Sequence, residues 1–270
     1  MLGTADADIQ KVQKDAEVAP HVQDDLDINE EGMAQLSLLE QPEVQEKLKR
    51  RIAAGNIKVL NPPRPGKKLA VFDIDYTIFD LNSAAERPDE LLRPFVHQCF
   101  AAIYADYDII IWSATSMKWV EVKMRELGVS VHPDYKVTAF IDHSCMLTVK
   151  HEKYGLFDCK PLQVLWARFP EHYNEHNTIM FDDLRRNYVL NKQQGLVIRP
   201  FKKAHLTRDT DREMLYLSAY LGKIAGLESL AELNHRHWES YAKAEIRQLR
   251  KQLEAQQQQQ QQQQGGGGEG

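Results

Sequence analysis

The sequence is short of cysteine, of long hydrophobic runs and of basic charge, and each shortage removes a class of protein. Cys99, Cys145 and Cys159 are its three cysteines. An odd, sparse set without CxxC spacing builds neither a disulfide framework nor a cysteine metal cage, and it points to a reducing compartment. The longest apolar stretches, such as the one around Ile110, are strand-sized and far too short to span a bilayer. The opening MLGTADADIQKVQKD is acidic and has no apolar segment, so no secretory signal is visible. A formal net charge of -5 rules out a basic body that holds nucleic acid non-specifically. No segment repeats. The composition reads as a soluble intracellular protein that engages neither nucleic acid nor a membrane directly.

With 270 residues and 43% hydrophobic composition, the chain has material for one sizeable core with appendages. Residues 1–41 read as a flexible acidic lead-in containing DDLDINEE. QPEVQEKLKRRIAAG reads as a helix, with Pro42 in its first turn and Gly55 as its stop. KLKRR within it is a nuclear address or, more often, a solvated helix face. NPPRPGKK breaks the chain before the strand LAVFD. There follow a helix around LLRPFVHQCFAAIYAD, a buried strand YDIIIWSA, and the helix MKWVEVKMREL stopped by Gly128. YKVTAFID and MLTVKHE alternate like two strands of a small sheet. PLQVLWARFPEHY is helical, and NTIMFDD and GLVIRPF are further buried strands. DREMLYLSAYLGKIAG and a long helix through HRHWESYAKAEIRQLRKQLEA close the pattern. Strands alternating with helices predict an α/β fold with a mostly parallel sheet covered on both faces. Residues 241–270 read as a helical extension with a low-complexity tail, in which glutamine extends the helix and the glycines form a flexible, inert end.

Open parallel sheets bind ligands beyond the carboxyl ends of their strands, and polar side chains gather there in this pattern. Asp73 and Asp75 end LAVFD, with Thr77 and Asp80 one turn on; Ser113 ends IIIWS; Asp182 and Asp183 end IMFDD; Lys160 opens the helix before that strand. Each signal alone is weak, since Asp and Thr suit turns and an Asp pair often caps a helix. Their joint order, each at the expected end of the expected element, points to a phosphate-handling site.

DIDYTIFD, YDIIIWSATSMKW, GLFDCKPL, NTIMFDDLRRN and IRPFKKAHL resemble, in that order, the motifs of the haloacid dehalogenase superfamily of phosphohydrolases. Within it the match is to the FCP/SCP protein phosphatases, and among these to the ubiquitin-like-domain-containing CTD phosphatases. The resemblance covers roughly residues 57 to 240 and implies a Rossmann-like fold with a small β insertion and no large cap. It sets a phosphatase domain at 42–240. Ser113 stands where many FCP/SCP enzymes have Thr, which preserves the hydroxyl. MLGT looks like the segment just past the family's ubiquitin-like domain, so that domain is expected to be absent from this sequence.

The resemblance implies roles that the chemistry of a phosphate monoester requires: an in-line nucleophile, charge neutralisation, and a proton for the leaving alkoxide. Asp73 is the expected nucleophile and Asp75 the acid and base, two similar acids in different environments. Mg²⁺, a hard cation that prefers oxygen, is expected on Asp73, the Asp75 backbone carbonyl and Asp183, with Asp182 in support. Thr77 orients the nucleophile or its loop, Ser113 donates to a phosphoryl oxygen, and Lys160 neutralises the rest. The expected partner is a phosphorylated protein, by resemblance a subunit of the nuclear proteasome, with RNA polymerase II tail phosphopeptides as the other attributed substrate. The implied location is the nucleus.

Other residues carry weaker signals. His97 reads as packing, and His132, His143, His151, His172 and His176 lack ligand spacing on one helix face, so no zinc site is assigned. Trp112 reads as core; Trp119 is either surface or a substrate-facing ring. Arg199, Lys202, Lys203, His205 and Arg208 form either a solvated face or a phosphopeptide approach surface. The rival readings are a small-molecule phosphatase and a non-catalytic scaffold.

Overall fold

A computed structural model describes residues 38–151 and 155–265. The first 37 residues of the acidic lead-in and the last five residues of the tail, 266–270, lie outside the described residues. A six-stranded sheet organises the rest. In chain order the first elements are α1 (Pro42–Ala54), β1 (Ile57–Val59), β2 (Lys68–Phe72), α2 (Val96–Ile103), β3 (Tyr107–Trp112), α3 (Met117–Glu126) and β4 (Val137–Ile141). They are followed by β5 (Leu147–His151), β6 (Gly155–Cys159), α4 (Gln163–Arg168), β7 (Thr178–Asp182), β8 (Gly195–Val197), α5 (Ala204–Thr207), α6 (Glu213–Ile224) and α7 (Trp238–Gly265). The strand order is β1-β4-β3-β2-β7-β8, and every pairing is parallel except β1 on β4.

The apolar strands are continuous because both their faces are covered. Ala70, Phe72, Ile109, Ile111, Ile179 and Phe181 face one core, which α2, α3, α6 and the first turns of α7 close. Leu69, Val71, Ile110, Trp112 and Met180 face the other, beneath α1, α4 and the β5–β6 hairpin. Trp112 is fully buried there, as its apolar context predicts. Helix α7 continues through the glutamines to Gly265, and Ala242 on it is buried in the first core. Among the described residues no helix is long and apolar enough to cross a membrane.

The structure changes the sequence reading in three places. The segment around β4 does not pair with β5: it lies between β3 and β1 in the main sheet, all five of its residues buried, whereas β5 pairs with β6. Its alternation misled because the polar member, Thr138, is itself buried. Secondly, α2 begins at Val96 rather than Leu91. Pro94 lacks an amide hydrogen and pushes its predecessor out of the helical region, so the Arg93 amide bonds to the Ile78 carbonyl instead. Thirdly, Lys160 follows β6 directly and precedes α4 by two residues, which makes it a hairpin-end residue.

Gly128 behaves as expected. It takes φ +72° after α3, a left-handed turn open to glycine at little cost, and it ends the helix.

Candidate active site

The strand order reverses around β2, whose neighbours β3 and β7 are followed and reached by chain running in opposite directions across the sheet. Such a switch point opens a crevice beyond the strand ends. Asp73 leaves the end of β2 and Asp182 ends β7, so the register of the two strands sets their carboxylates side by side.

The loop after β2 is held rigidly. Ile74 and Ile78 are buried and anchor it to the first core. The Asp73 amide donates to the Phe181 carbonyl at 3.0 Å, and the Thr77, Ile78 and Phe79 amides all donate to the Ile74 carbonyl. Tyr76 sits at φ 63°, and its carbonyl accepts from the Phe201 amide at 2.7 Å. Arg93, 1% exposed, forks onto Asp211 and also donates to the Thr77 carbonyl at 3.1 Å. The chain thus alternates between core anchors and site-facing groups within a single turn.

Lys160 is the centre of the cluster. Completely buried, it donates to Asp73 Oδ1 at 2.5 Å and to Asp182 Oδ2 at 2.7 Å. Its own amide is tied to the Asn187 carbonyl at 2.6 Å. Asn187 in turn donates to both oxygens of Asp182 at 2.8 Å, and the Leu184 amide adds a bond at 2.9 Å. Both oxygens of Asp182 are therefore occupied by protein donors, which makes it the anchor of Lys160. Asn187 stands in the 3-10 turn Arg185–Tyr188, where the Tyr188 ring presses on Gly195 so closely that a Cβ would lie 2.0 Å from it.

The charges do not balance within this group. Asp73, Asp182 and Asp183 bring carboxylate oxygens within 4.8 Å of one another, against one ammonium. Burial, with the Asp182 and Asp75 charges in support, pushes the Asp73 carboxyl up even though Lys160 pulls it down. Burial and then the Asp182 charge raise Asp183 to about 6. Burial alone would favour a neutral Lys160 amine, but its two carboxylates outweigh that and keep it protonated. An all-oxygen donor set with surplus negative charge fits a hard divalent cation and offers nothing to a soft one.

The other expected site residues stand around this cluster. Asp75 pairs with Lys123 of α3 at 2.7 Å, both partly buried. Ser113, fully buried after β3, shares a hydroxyl contact of 3.0 Å with Thr115 and accepts from the Thr115 amide. The Thr77 hydroxyl is buried and has no hydrogen-bond partner among the described residues. Trp119 is 60% exposed, one turn before Lys123 on α3.

Sequence reasoning missed Lys123, Asn187 and Arg93. Lys123 pairs with an acid 48 residues earlier, a separation no local pattern reveals. Asn187 had a usable signal, five residues beyond Asp182 in the same NTIMFDDLRRN motif. Of the basic stretch, Arg199 is paired with Glu213 and Glu239, and Arg208 donates to the Asp89 and Leu92 carbonyls.

Fold and cluster together place the protein among α/β enzymes whose charged site lies at the carboxyl ends of parallel strands. The chain belongs to the NLI interacting factor-like phosphatase family, whose sequence model matches residues 68–231. A ubiquitin-like domain-containing CTD phosphatase of Arabidopsis thaliana is 50% identical over 252 residues, covering 93% of this chain and 73% of that protein. Ubiquitin-like domain-containing CTD phosphatase 1 of Homo sapiens is 47% identical over 241 residues, covering 89% of this chain and 75% of its own length. Among solved structures, a fission yeast RNA polymerase II CTD phosphatase bound to beryllium fluoride is similar with a TM-score of 0.34 and 13% identity, over 78% of this chain and 54% of that one. That likeness is too slight to bear on the fold. Membership of the family makes the chain a phosphoprotein phosphatase.

Proposed function

We propose that the protein hydrolyses phosphoserine or phosphothreonine on a protein substrate through an aspartyl-phosphate on Asp73. The observation that carries this is the Asp73–Lys160–Asp182 bridge at the ends of β2 and β7. Asp73 Oδ2, the oxygen not bonded to Lys160, attacks phosphorus in line as the bond to the seryl or threonyl oxygen breaks. Asp75 gives that oxygen its proton, and afterwards takes one from the water that cleaves the acyl phosphate. Lys123 holds Asp75 in place for both steps. Lys160 and the Ser113 hydroxyl offset charge on the phosphoryl oxygens. Thr77 orients the loop around Asp73 through its backbone, whose amide bonds to the Ile74 carbonyl and whose carbonyl accepts from Arg93.

Mg²⁺ is the cofactor we assign. Asp73, Asp183 and the Asp75 backbone carbonyl would hold it, with Asp182 acting through Lys160. When bound it supplies the positive charge that lets a carboxylate meet a phosphate dianion. As substrate we propose a phosphorylated subunit of the nuclear proteasome, on the strength of the resemblance to ubiquitin-like-domain CTD phosphatases. The same resemblance gives RNA polymerase II tail phosphopeptides as the second reading, and the relatives' names carry the words CTD phosphatase.

Turnover of a phosphopeptide panel and of sugar phosphates, with Mg²⁺ and with chelator, tests this. The insertion after β4 is one hairpin, too small to close over a metabolite. Peptides are therefore expected to win by at least about tenfold in kcat/KM, with activity lost on chelation and restored by Mg²⁺. Equal turnover of sugar phosphates would move the reading to a metabolite phosphatase. Failure to hydrolyse either would favour a scaffold.

A further inference from the structure

The loop that carries Asp73 and Asp75 runs on into Tyr76, which forms one wall of a cleft of about 380 Å³. Lys202, Lys203 and His205 line it too. The Phe201 amide joins the two segments through the Tyr76 carbonyl, and the Lys202 ammonium lies 4.5 Å from the centre of the Tyr76 ring. The cleft adjoins the candidate active site. Burial and the Asp182 charge push the Asp183 carboxyl up, and the Lys202 charge is close enough to pull the other way.

The charge presented to solvent in this cleft is positive. Arg199 and Arg208, at the ends of the basic stretch, are committed to the fold. Lys203 and His205 are exposed and have no side-chain partner among the described residues. The acid in the cleft, Asp80, is fully buried and turned inward, accepting from the Asn82 amide at 3.2 Å and the Ala204 amide at 2.7 Å. Lys203 is held at φ 56°, a left-handed conformation that a lysine adopts only when its surroundings impose it.

We propose that this cleft is a second anion subsite, which receives an acidic side chain or a second phosphate on the same substrate chain, close to the residue being dephosphorylated. The proposal rests on the strand-end site being the phosphatase centre, and it adds the substrate class: an acidic or multiply phosphorylated peptide. Lys203 supplies the charge and His205 a ring nitrogen for hydrogen bonding, while Lys202 is engaged with the Tyr76 ring.

Two measurements on the full chain test it. In the first, labelled peptides with one phosphoserine and a neighbouring alanine, glutamate or second phosphoserine, scanned over the flanking positions, are bound to the Asp73→Asn protein and followed by anisotropy. In the second, kcat and KM are measured for the same peptides with Asp73 intact. An anionic neighbour is expected to tighten binding about tenfold at its best position. A Lys203→Asn, His205→Ser protein, in which asparagine tolerates the left-handed backbone, should lose that gain through KM while the alanine peptide changes less than about twofold. A gain from both acids, or from phosphate alone, supports the subsite and identifies its anion. Equal binding of all three peptides, or a gain that survives the double substitution, overturns it. A binding preference without any turnover would instead overturn the phosphatase reading and leave the subsite standing.

Discussion

Two lysines meet the two acids of the loop after β2, and they do so in opposite surroundings. Lys160 is sealed from solvent against Asp73 and Asp182, with every partner tied to strand or turn backbone. Lys123 meets Asp75 at a similar distance, but its side chain is 16% exposed and that of its acid 19%. A buried ion pair gains little net stability from forming, yet breaking one side leaves an uncompensated charge in low dielectric. A partly exposed pair can exchange its bonds with water at small cost. The first arrangement suits groups that must stay still, and the second suits an acid that has to exchange protons.

Lys160→Met should therefore have the largest effect. It leaves three carboxylates without their ammonium, and a loss of roughly 3–5 kcal/mol in urea unfolding is expected together with loss of turnover. A variant that unfolds at the wild-type midpoint would break the comparison.

A buried polar group that meets a neutral hydroxyl extends it. His235 meets the Tyr220 hydroxyl at 2.8 Å, and burial holds its imidazole down at about 4, against 6.5 for an ordinary histidine. The unfolded chain binds the proton more readily, so the contribution of His235 is complete above pH 6.5. It is lost as the pH falls through 6.5 towards 4, reaching about 3 kcal/mol by the lower end. Urea midpoints across that window should fall for wild type and stay flatter for His235→Gln.

Lys123→Met should cost less than about 1 kcal/mol of stability, since its pair is partly exposed. Turnover should drop by roughly tenfold to a hundredfold, because Asp75 loses its support. A variant with unchanged kcat would show that Lys123 does not position that acid. The smallest effect is expected at the far end of the chain. Removing residues 256–270, beyond the turns of α7 that reach the core, should leave kcat and KM unchanged within about twofold.

The strand tips were legible because an apolar run that ends in Asp or Ser has one reading in a covered parallel sheet. Asp73, Ser113 and the Asp182–Asp183 pair all stand where that rule puts them. Gly128 and Pro42 were legible for the same reason, since a left-handed turn and a first helical turn are local demands. Strand partnership was not. The five buried residues of β4 suit either sheet, and the choice is made by β3 and β1, one before and one far before it in the chain.

The amino-acid sequence by itself determined the alternation of strands and helices, the positions of the acids at strand ends, and the family whose motifs they form. These depend on side chains within a few residues of each other. Tertiary structure decided which charges are neutralised and which are left facing outward. Lys123 is drawn to Asp75, Arg93 to Asp211, and Arg199 to Glu213 and Glu239 only once the elements carrying them pack together. Lys202, Lys203 and His205 remain on the surface of the cleft beside the site. The reason is physical: a side chain's charge is fixed by its own chemistry, but its partner and its dielectric surroundings are set by residues distant in the chain.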